Sequence, residues 1–108
     1  MILDFWATWC PPCRAQREVL HTLAGEYGDR LRIVALSVDE DEAALKRYVA
    51  EHPGGTHELR ATSELIELFD VEALPTLAII NATGRVQRVS EGLMDADEFR
   101  RIVAPPVK

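Results

Sequence analysis

The feature that most constrains the fold is a strand, a helix and a second strand that follow one another at the start of the chain. Met1 to Trp6 is a short, mostly apolar run, typical of a strand buried on both faces of a sheet. Apolar residues at helical spacing then predict a helix over Cys10 to Tyr27, with Gly28 placed to end it. Leu31 to Val38 predicts a second buried strand. Together they form a β-α-β unit with a right-handed crossover, and the first strand should be central in its sheet.

The rest of the chain predicts further helices and strands of the same kind. Asp41 can cap the second helix, Asp95 with Glu98 resembles a capping box, and Gly84 supplies a hairpin turn. The predicted elements are a helix over Asp41 to His52, a short edge strand over Thr56 to Leu59, a helix around Leu65 to Phe69, hairpin strands over Thr76 to Ile80 and Arg85 to Ser90, and a last helix that ends at Pro105-Pro106. The sequence therefore predicts an α/β fold in three layers, with a mixed sheet of about four or five strands and helices on both faces.

Length and charge narrow the class of protein. A chain of 108 residues has the size of one compact domain, so we expect a single domain over 1–108. With 18 acidic and 12 basic residues the net charge is −6, which disfavours nucleic acids and anionic membranes as partners. The sequence contains no apolar run of roughly 18 residues, so no membrane span is expected.

The cysteine pair is the candidate reactive group. Cys10 and Cys13 are the only cysteines, and they lie three residues apart at the start of the first predicted helix. Residues at that spacing share a helix face with Cβ atoms roughly 5–6 Å apart, within reach of a disulfide after a small adjustment. The helix N-terminus favours a thiolate, and the pKa of such a thiol falls from about 8.5 to roughly 3.5–7.5. Cys10 is therefore the predicted nucleophile, and Cys13, one turn inward, the resolving thiol.

Asp4 is the second informative residue because it places a carboxyl group inside an apolar strand. Burial of a carboxylate is unfavourable unless it is hydrogen-bonded or protonated, and burial raises its pKa. We hypothesise that Asp4 is a general base that accepts a proton from Cys13 through water. An acid satisfied by hydroxyl groups, or one that points to an edge, is the structural alternative. Trp9 should be exposed beside the nucleophile and shape a substrate surface, although simple packing would also explain it.

A metal site is an alternative use of the cysteines, because His52 and His57 form a second pair of possible ligands. A zinc finger needs roughly 12–15 residues between its two ligand pairs. Here a whole β-α-β unit separates Cys13 from His52, so no metal is expected. Two inert cysteines in a redox-inactive module are a further alternative.

The segment Asp4-Phe5-Trp6-Ala7-Thr8-Trp9-Cys10-Pro11-Pro12-Cys13-Arg14 resembles the active-site segment of thioredoxins. Leu74-Pro75-Thr76, before an apolar strand, is similar to the cis-proline loop of that family, and Gly92 to its substrate-groove glycine. The resemblance covers nearly the whole chain and implies a thioredoxin-like fold in which a cis Leu74-Pro75 peptide faces Cys10. It also implies a substrate groove lined by Trp9, Leu74, Pro75 and Gly92.

Within that superfamily, the Cys-Pro-Pro-Cys pair and the helix before the proline loop are similar to the TlpA/ResA-like branch, whose members are usually extracytoplasmic reductants. The chain departs from this pattern in two details. Asp4 is the residue of thioredoxin itself where the branch often has Asn, and Ala35 stands where thioredoxin carries a lysine near the acid. The amino-terminal strands usual in both groups are absent, so the predicted domain lacks them.

The resemblance implies a thiol:disulfide oxidoreductase that needs no cofactor beyond its cysteine pair. We expect a monomer that exchanges disulfides with protein substrates and an electron donor, most readily as a disulfide reductase. A disulfide oxidase and a non-catalytic binding module are the alternatives. The resemblance implies an extracytoplasmic location. However, Met1-Ile2-Leu3 already has the character of a strand and shows no signal peptide, so the protein would be cytoplasmic if the chain is complete, and an upstream segment is the other possibility.

Overall fold

The structure, a computed structural model, describes residues 1–103 of the chain. It contains five strands and four α-helices among those residues, with a short 3-10 helix, Gly28–Arg30, after the first α-helix. In chain order they are β1 (Ile2–Trp6), α1 (Pro11–Tyr27), β2 (Ile33–Ser37), α2 (Glu42–Glu51), β3 (His57–Arg60), α3 (Ser63–Leu68), β4 (Thr76–Ile80), β5 (Val86–Glu91) and α4 (Ala96–Ile102).

The strands form one mixed sheet in the order β3-β2-β1-β4-β5. β1, β2 and β3 run parallel, whereas β4 is antiparallel to both β1 and β5. β1 lies in the centre, and all five of its residues are buried. The predicted α/β fold with a mixed sheet is therefore confirmed, as is the central position of the first strand.

Helices cover both faces of the sheet, as predicted. α1 and α4 pack on one face over Ile2, Ile33 and Ile79, while α3 packs on the other face over Phe5 and neighbouring residues. α2 lies on the same face as the start of α1, where Leu45 joins a cluster that contains Trp6 and both cysteines. The sheet is thus the middle of three layers.

Local signals explain where the helices begin and end. The Asp41 side chain accepts a hydrogen bond from the Ala44 N–H at 3.1 Å and begins α2, and Asp95 caps α4 in the same way. Gly28 ends α1 with a φ of +56°, a backbone conformation that residues other than glycine rarely adopt. The helix predicted to end at Pro105-Pro106 ends at Ile102, and those prolines lie outside the described residues.

The outer strand β5 has no buried apolar face. A register shift between Ile79 and Ile80 interrupts its pairing with β4. Val86 and Val89 are both about half exposed, so neither contributes a buried face.

None of the helices within residues 1–103 has the length and apolar character needed to cross a membrane.

Leu20 and Leu68 provide a matched test of this packing. Leu20 is fully buried between α1 and the sheet, whereas Leu68 is 73% exposed. Leu20→Ala should lower the free energy of unfolding by about 2–5 kcal/mol, because it removes buried methyl groups and leaves a cavity. Leu68→Ala should change it by no more than about 0.5 kcal/mol. Urea denaturation monitored by tryptophan fluorescence measures both, and equal losses would contradict the described core.

Candidate active site

Cys10 and Cys13 form a disulfide at the junction between β1 and α1. Cys10 is the N-cap residue of α1, and its Sγ accepts a hydrogen bond from the Cys13 N–H at 3.3 Å. Pro11 and Pro12 occupy the first positions of the helix, where their missing N–H groups leave no intrahelical bond unmade. Cys10 is 5% exposed and Cys13 is fully buried, so the outer sulfur is the one that a partner molecule can reach.

The loop before β4 lies against the disulfide. The Leu74-Pro75 peptide is cis, and the Leu74 carbonyl oxygen is 3.8 Å from Cys10 Sγ. Gly92, at φ +87°, donates its N–H to the Pro75 carbonyl at 2.9 Å. Trp9, next to Cys10, is 65% exposed. The structure therefore brings the predicted groove residues Leu74, Pro75 and Gly92 together beside the cysteines and leaves Trp9 on the adjoining surface.

Gln16 fastens this side of the site to α1, a role that the sequence analysis missed. Its side chain is fully buried, and its amide donates to the Met94 carbonyl at 2.9 Å while accepting from the Met94 N–H at 2.8 Å. A side chain that satisfies both polar groups of one residue acts like a strand partner. It holds the segment after Gly92 against the helix that carries the cysteines.

A second missed residue, Asp39, holds the turn that precedes the cysteines. Its carboxylate accepts from the Thr8 N–H at 3.1 and 3.2 Å, from the Thr8 hydroxyl at 2.6 Å and from the Ser37 hydroxyl at 2.7 Å. Arg14 donates to the Thr8 carbonyl from the other side at 3.0 Å. The turn between β1 and Cys10 is thus held by Asp39, two residues beyond the end of β2. A polar residue directly after a buried strand is the sequence signal that could have drawn attention to Asp39.

Asp4 lies on the β1 face that α1 covers, because residues alternate along a strand and Ile2 and Trp6 share that face. Its side chain is fully buried, and neither carboxyl oxygen has a hydrogen-bond partner among residues 1–103. Burial raises the pKa of Asp4 to about 7, with a smaller lowering by the charge of Arg17 and a further raising by Glu58. The predicted burial and raised pKa are confirmed, and the structural alternative of an acid satisfied by hydroxyl groups is wrong.

Arg17 and Glu58 are the charged groups that act on Asp4, and the sequence analysis singled out neither. The Arg17 Nη1 donates to both carboxylate oxygens of Glu58 at 3.0 and 3.1 Å, and Nη2 donates to the His52 carbonyl at 3.2 Å. Arg17 is 2% exposed and its guanidinium lies 4.3 Å from the Trp6 ring centroid. Helical spacing from Cys13 to Leu20 places position 17 on the buried face, which is a signal for Arg17; the position of Glu58 depends on strand register and has no such signal.

The two histidines considered as zinc ligands are placed differently. The His52 ring stacks on Tyr48 at a centroid distance of 4.0 Å, and His57 is exposed at the start of β3. Within the described part of the chain, no group of three or more His, Cys, Asp or Glu side chains is arranged to hold a metal ion. The cysteines are bonded to each other instead.

A disulfide at the start of a helix, facing a cis-proline loop on a mixed sheet, is the arrangement that the sequence resemblance implied. A protein-family model described as "Thioredoxin-like" matches residues 1–86. A crystal structure from Chlorobium tepidum, described as a thiol:disulfide interchange protein of the thioredoxin family, superposes with a TM-score of 0.85 at 31% identity, covering 94% of this chain and 75% of that one. The chain belongs to the thioredoxin-like family.

Curated relatives agree with this assignment. The chain is 30% identical to the thiol-disulfide oxidoreductase ResA of Halalkalibacterium halodurans over 97% of its own length and 62% of the relative's. It is 29% identical to ResA of Oceanobacillus iheyensis over 92% of its length and 53% of that protein's, and 31% identical to the thioredoxin-like protein YneN of Bacillus subtilis over 94% and 61%. The chain thus spans between 53 and 62% of the length of these relatives.

The raised pKa of Asp4 predicts a specific pH dependence of stability. Between the unfolded pKa, about 3.9, and the folded value of about 7, the folded protein keeps a proton that the unfolded chain has lost. The free energy of unfolding of the oxidised protein therefore falls over this range, by at most about 4 kcal/mol from this group. Asp4→Asn removes the titration, so its stability relative to the parent should rise from pH 4 to pH 8, as measured by urea denaturation.

Asp29→Asn is the control for this measurement, because Asp29 is an exposed aspartate in the 3-10 helix. Its stability curve should run parallel to that of the parent across the same pH range. Parallel curves for Asp4→Asn and the parent would show that Asp4 does not carry a raised pKa.

Proposed function

We propose that this protein is a thiol:disulfide oxidoreductase that reduces disulfides in protein substrates. The observation that carries the proposal is the asymmetry of the cysteine pair. Cys10 caps a helix and is the more accessible sulfur, whereas Cys13 is fully buried directly behind it. An accessible, helix-stabilised thiolate is suited to attack, and a buried neighbour is suited to resolve the product. The relatives named thiol-disulfide oxidoreductases support the same activity.

The proposed reaction moves two electrons from the dithiol to the substrate. The Cys10 thiolate attacks one sulfur of a substrate disulfide, which forms a mixed disulfide and releases the other substrate sulfur as a thiolate. Cys13 then gives its proton to the Asp4 carboxylate, and its thiolate attacks Cys10 Sγ. The second substrate sulfur leaves, and the Cys10–Cys13 disulfide forms. An electron donor must afterwards reduce this disulfide. The cysteine pair is the redox group of the proposed cycle, which includes no other cofactor.

The role of Asp4 in this scheme is that of a general base. A base is most effective when its pKa is near the working pH. The value of about 7 for Asp4 meets that condition, and its two unpartnered carboxyl oxygens leave it free to take up a proton directly or through water. The position of Asp4 on the face covered by α1 supports this assignment.

The proposed substrate site is the groove formed by Trp9, Leu74, Pro75 and Gly92. The Leu74 carbonyl next to Cys10 Sγ can accept a main-chain hydrogen bond from an extended substrate segment, as in strand addition to an open backbone edge. Trp9 offers an exposed aromatic surface beside the same sulfur. A substrate bound in this way presents its disulfide to Cys10 while contacting little else of the chain.

The direction of electron flow and the compartment are further parts of the proposal. A reduction potential of about −270 mV would fit the proposed reductase, and one of about −120 mV would fit a disulfide oxidase. We place the protein outside the cytoplasm, as a monomer, because it resembles the TlpA/ResA-like branch. Equilibrium titration against glutathione and cell fractionation measure the first two properties, and sedimentation measures the third.

Trapping of mixed disulfides tests the proposed mechanism. Cys13→Ser removes the resolving thiol, so Cys10 should remain bound to substrate proteins as complexes that a reductant releases. Cys10→Ser is the matched control, because it keeps one thiol but removes the accessible attacker. Non-reducing electrophoresis of both variants, expressed in a native-like host, measures the complexes.

Two outcomes would contradict the proposal. Equal trapping by Cys13→Ser and Cys10→Ser would remove the assigned asymmetry between the sulfurs. Absence of any trapping, together with full cellular function of Cys10→Ser, would favour the non-catalytic binding module instead.

A further inference from the structure

Three residues stand in one row across the parallel part of the sheet. Asp4 on β1 is in register with Ala35 on β2, and Ala35 is in register with Glu58 on β3. Partners in parallel register point to the same face, and adjacent strands lie about 4.8 Å apart. Two carboxyl groups therefore flank a small alanine side chain on the face that α1 covers. Alanine leaves space above the sheet between them.

Arg17, on α1, reaches the Glu58 end of this row. Its guanidinium makes two hydrogen bonds from Nη1 to Glu58 and one from Nη2 to the His52 carbonyl, while Nε has no partner among the described residues. The same guanidinium lies over Trp6, which follows Asp4 by two residues on the same strand and face. A buried cation is thus held by Glu58 at one side of the row, with the unpartnered carboxyl of Asp4 at the other side.

We propose that the Arg17–Glu58 ion pair is a positioning element for the proton transfer at Asp4, in which Glu58 holds and largely neutralises Arg17 so that Asp4 can alternate between its charged and neutral forms. This inference rests on the proposed function, because it assigns the pair a role in the resolving step. Neither Arg17 nor Glu58 forms a hydrogen bond with a cysteine sulfur in the described part of the chain, so the proposal has both act through Asp4. Removal of Arg17 alone and removal of Glu58 alone should therefore shift the titration midpoint of Asp4 in opposite directions.

The charges that face Asp4 are few. Arg17 comes from α1 and Glu58 from β3, and they lower and raise the Asp4 pKa respectively. The residues beside Asp4 on β2 and β4 are Ala35 and Leu77, which carry no charge. Cys13, also on α1, is bonded to Cys10 in this oxidised state. The pair is therefore the principal charged environment of Asp4 within the described residues.

The charges of the same pair also act on His21. Burial lowers the pKa of His21, and the charge of Arg17 lowers it further, while Glu18 and Glu58 raise it. His52 accepts from Arg17 through its backbone carbonyl, so its ring is not part of the ion pair. A titration that reports on Asp4 itself is needed to separate these groups.

The test is a carbon-13 NMR titration of the Asp4 carboxyl group in the oxidised protein. Glu58→Gln leaves Arg17 unneutralised, so the Asp4 midpoint should fall by about one pH unit or more. Arg17→Met removes the cation, so the midpoint should rise by about one unit or more. The double variant Arg17→Met/Glu58→Gln removes both charges and should return the midpoint to within about half a unit of the parent.

Glu98→Gln is the matched control, because Glu98 forms a partly exposed ion pair at 2.6 Å with Arg88 on β5, the strand at the opposite edge of the sheet from β3. It should leave the Asp4 midpoint in place. A lone buried charge is destabilising, so Glu58→Gln is the variant at greatest risk of not folding. Arg17→Met and the double variant leave no unpaired buried cation and decide the test without it.

A second readout links the ion pair to chemistry. Cys10 is first joined to a small model thiol in a mixed disulfide, and the rate at which Cys13 resolves it is measured against pH. The midpoint of this rate profile should move in the same direction as the NMR midpoint in each variant. An Arg17→Met midpoint that matches that of Glu98→Gln, or a double-variant midpoint that stays displaced together with that of Arg17→Met, would overturn the proposal. NMR shifts without any movement of the rate profile would overturn the role in resolution. A parent protein that exchanges no disulfide at all would refute the proposed function, and the NMR titration would report that case separately.

Discussion

The packing of α1 against the central strand β1 is the interaction on which the rest of the structure depends. This helix carries Cys10 as its cap, Cys13 in its first turn, and Gln16 and Arg17 in its second, while Leu20 and Leu23 bury its remaining length. A shift of the helix along β1 would move the sulfurs, the Gln16 side chain that binds Met94 and the Arg17 guanidinium together. The apolar half of the helix therefore fixes the geometry of its reactive half.

Burial of polar groups under α1 distinguishes this core from an ordinary apolar one. Asp4, Gln16 and Arg17 are all nearly or fully buried. Gln16 is satisfied by the backbone of Met94, and the two Nη atoms of Arg17 donate to Glu58 and to the His52 carbonyl at the end of α2. Asp4 and the Arg17 Nε have no partner within the described residues. An unsatisfied buried carboxyl group is unfavourable for folding, and its cost is reduced when the group holds a proton. Stability and reactivity are thus opposed at this residue.

The sequence predicted the elements well because its signals are local. The apolar run of β1, the cap at Asp41 and the turn at Gly84 each depend on neighbours in the chain, and apart from the end of the last helix each predicted element lies within about two residues of its observed place. The cysteine pair was equally predictable, since its spacing alone places both sulfurs on one helix face. The contacts of Asp39 with Thr8 and of Gln16 with Met94 could not be predicted, because they join segments 31 and 78 residues apart. The absence of a lysine at position 35 was visible in the sequence, but the ion pair of Arg17 with Glu58 was not.

The edge strand β3 has a consequence for the centre of the sheet that its short length does not suggest. Side chains alternate between faces along a strand, so a slip of β3 by one residue would turn Glu58 away from α1 and bring His57 or Leu59 into its place. The connection from α2 runs through Pro53, Gly54 and Gly55, so its length limits the registers that β3 can adopt. The length of that loop therefore bears on which side chain stands in the row with Ala35 and Asp4, although the loop contains no residue of the cysteine site.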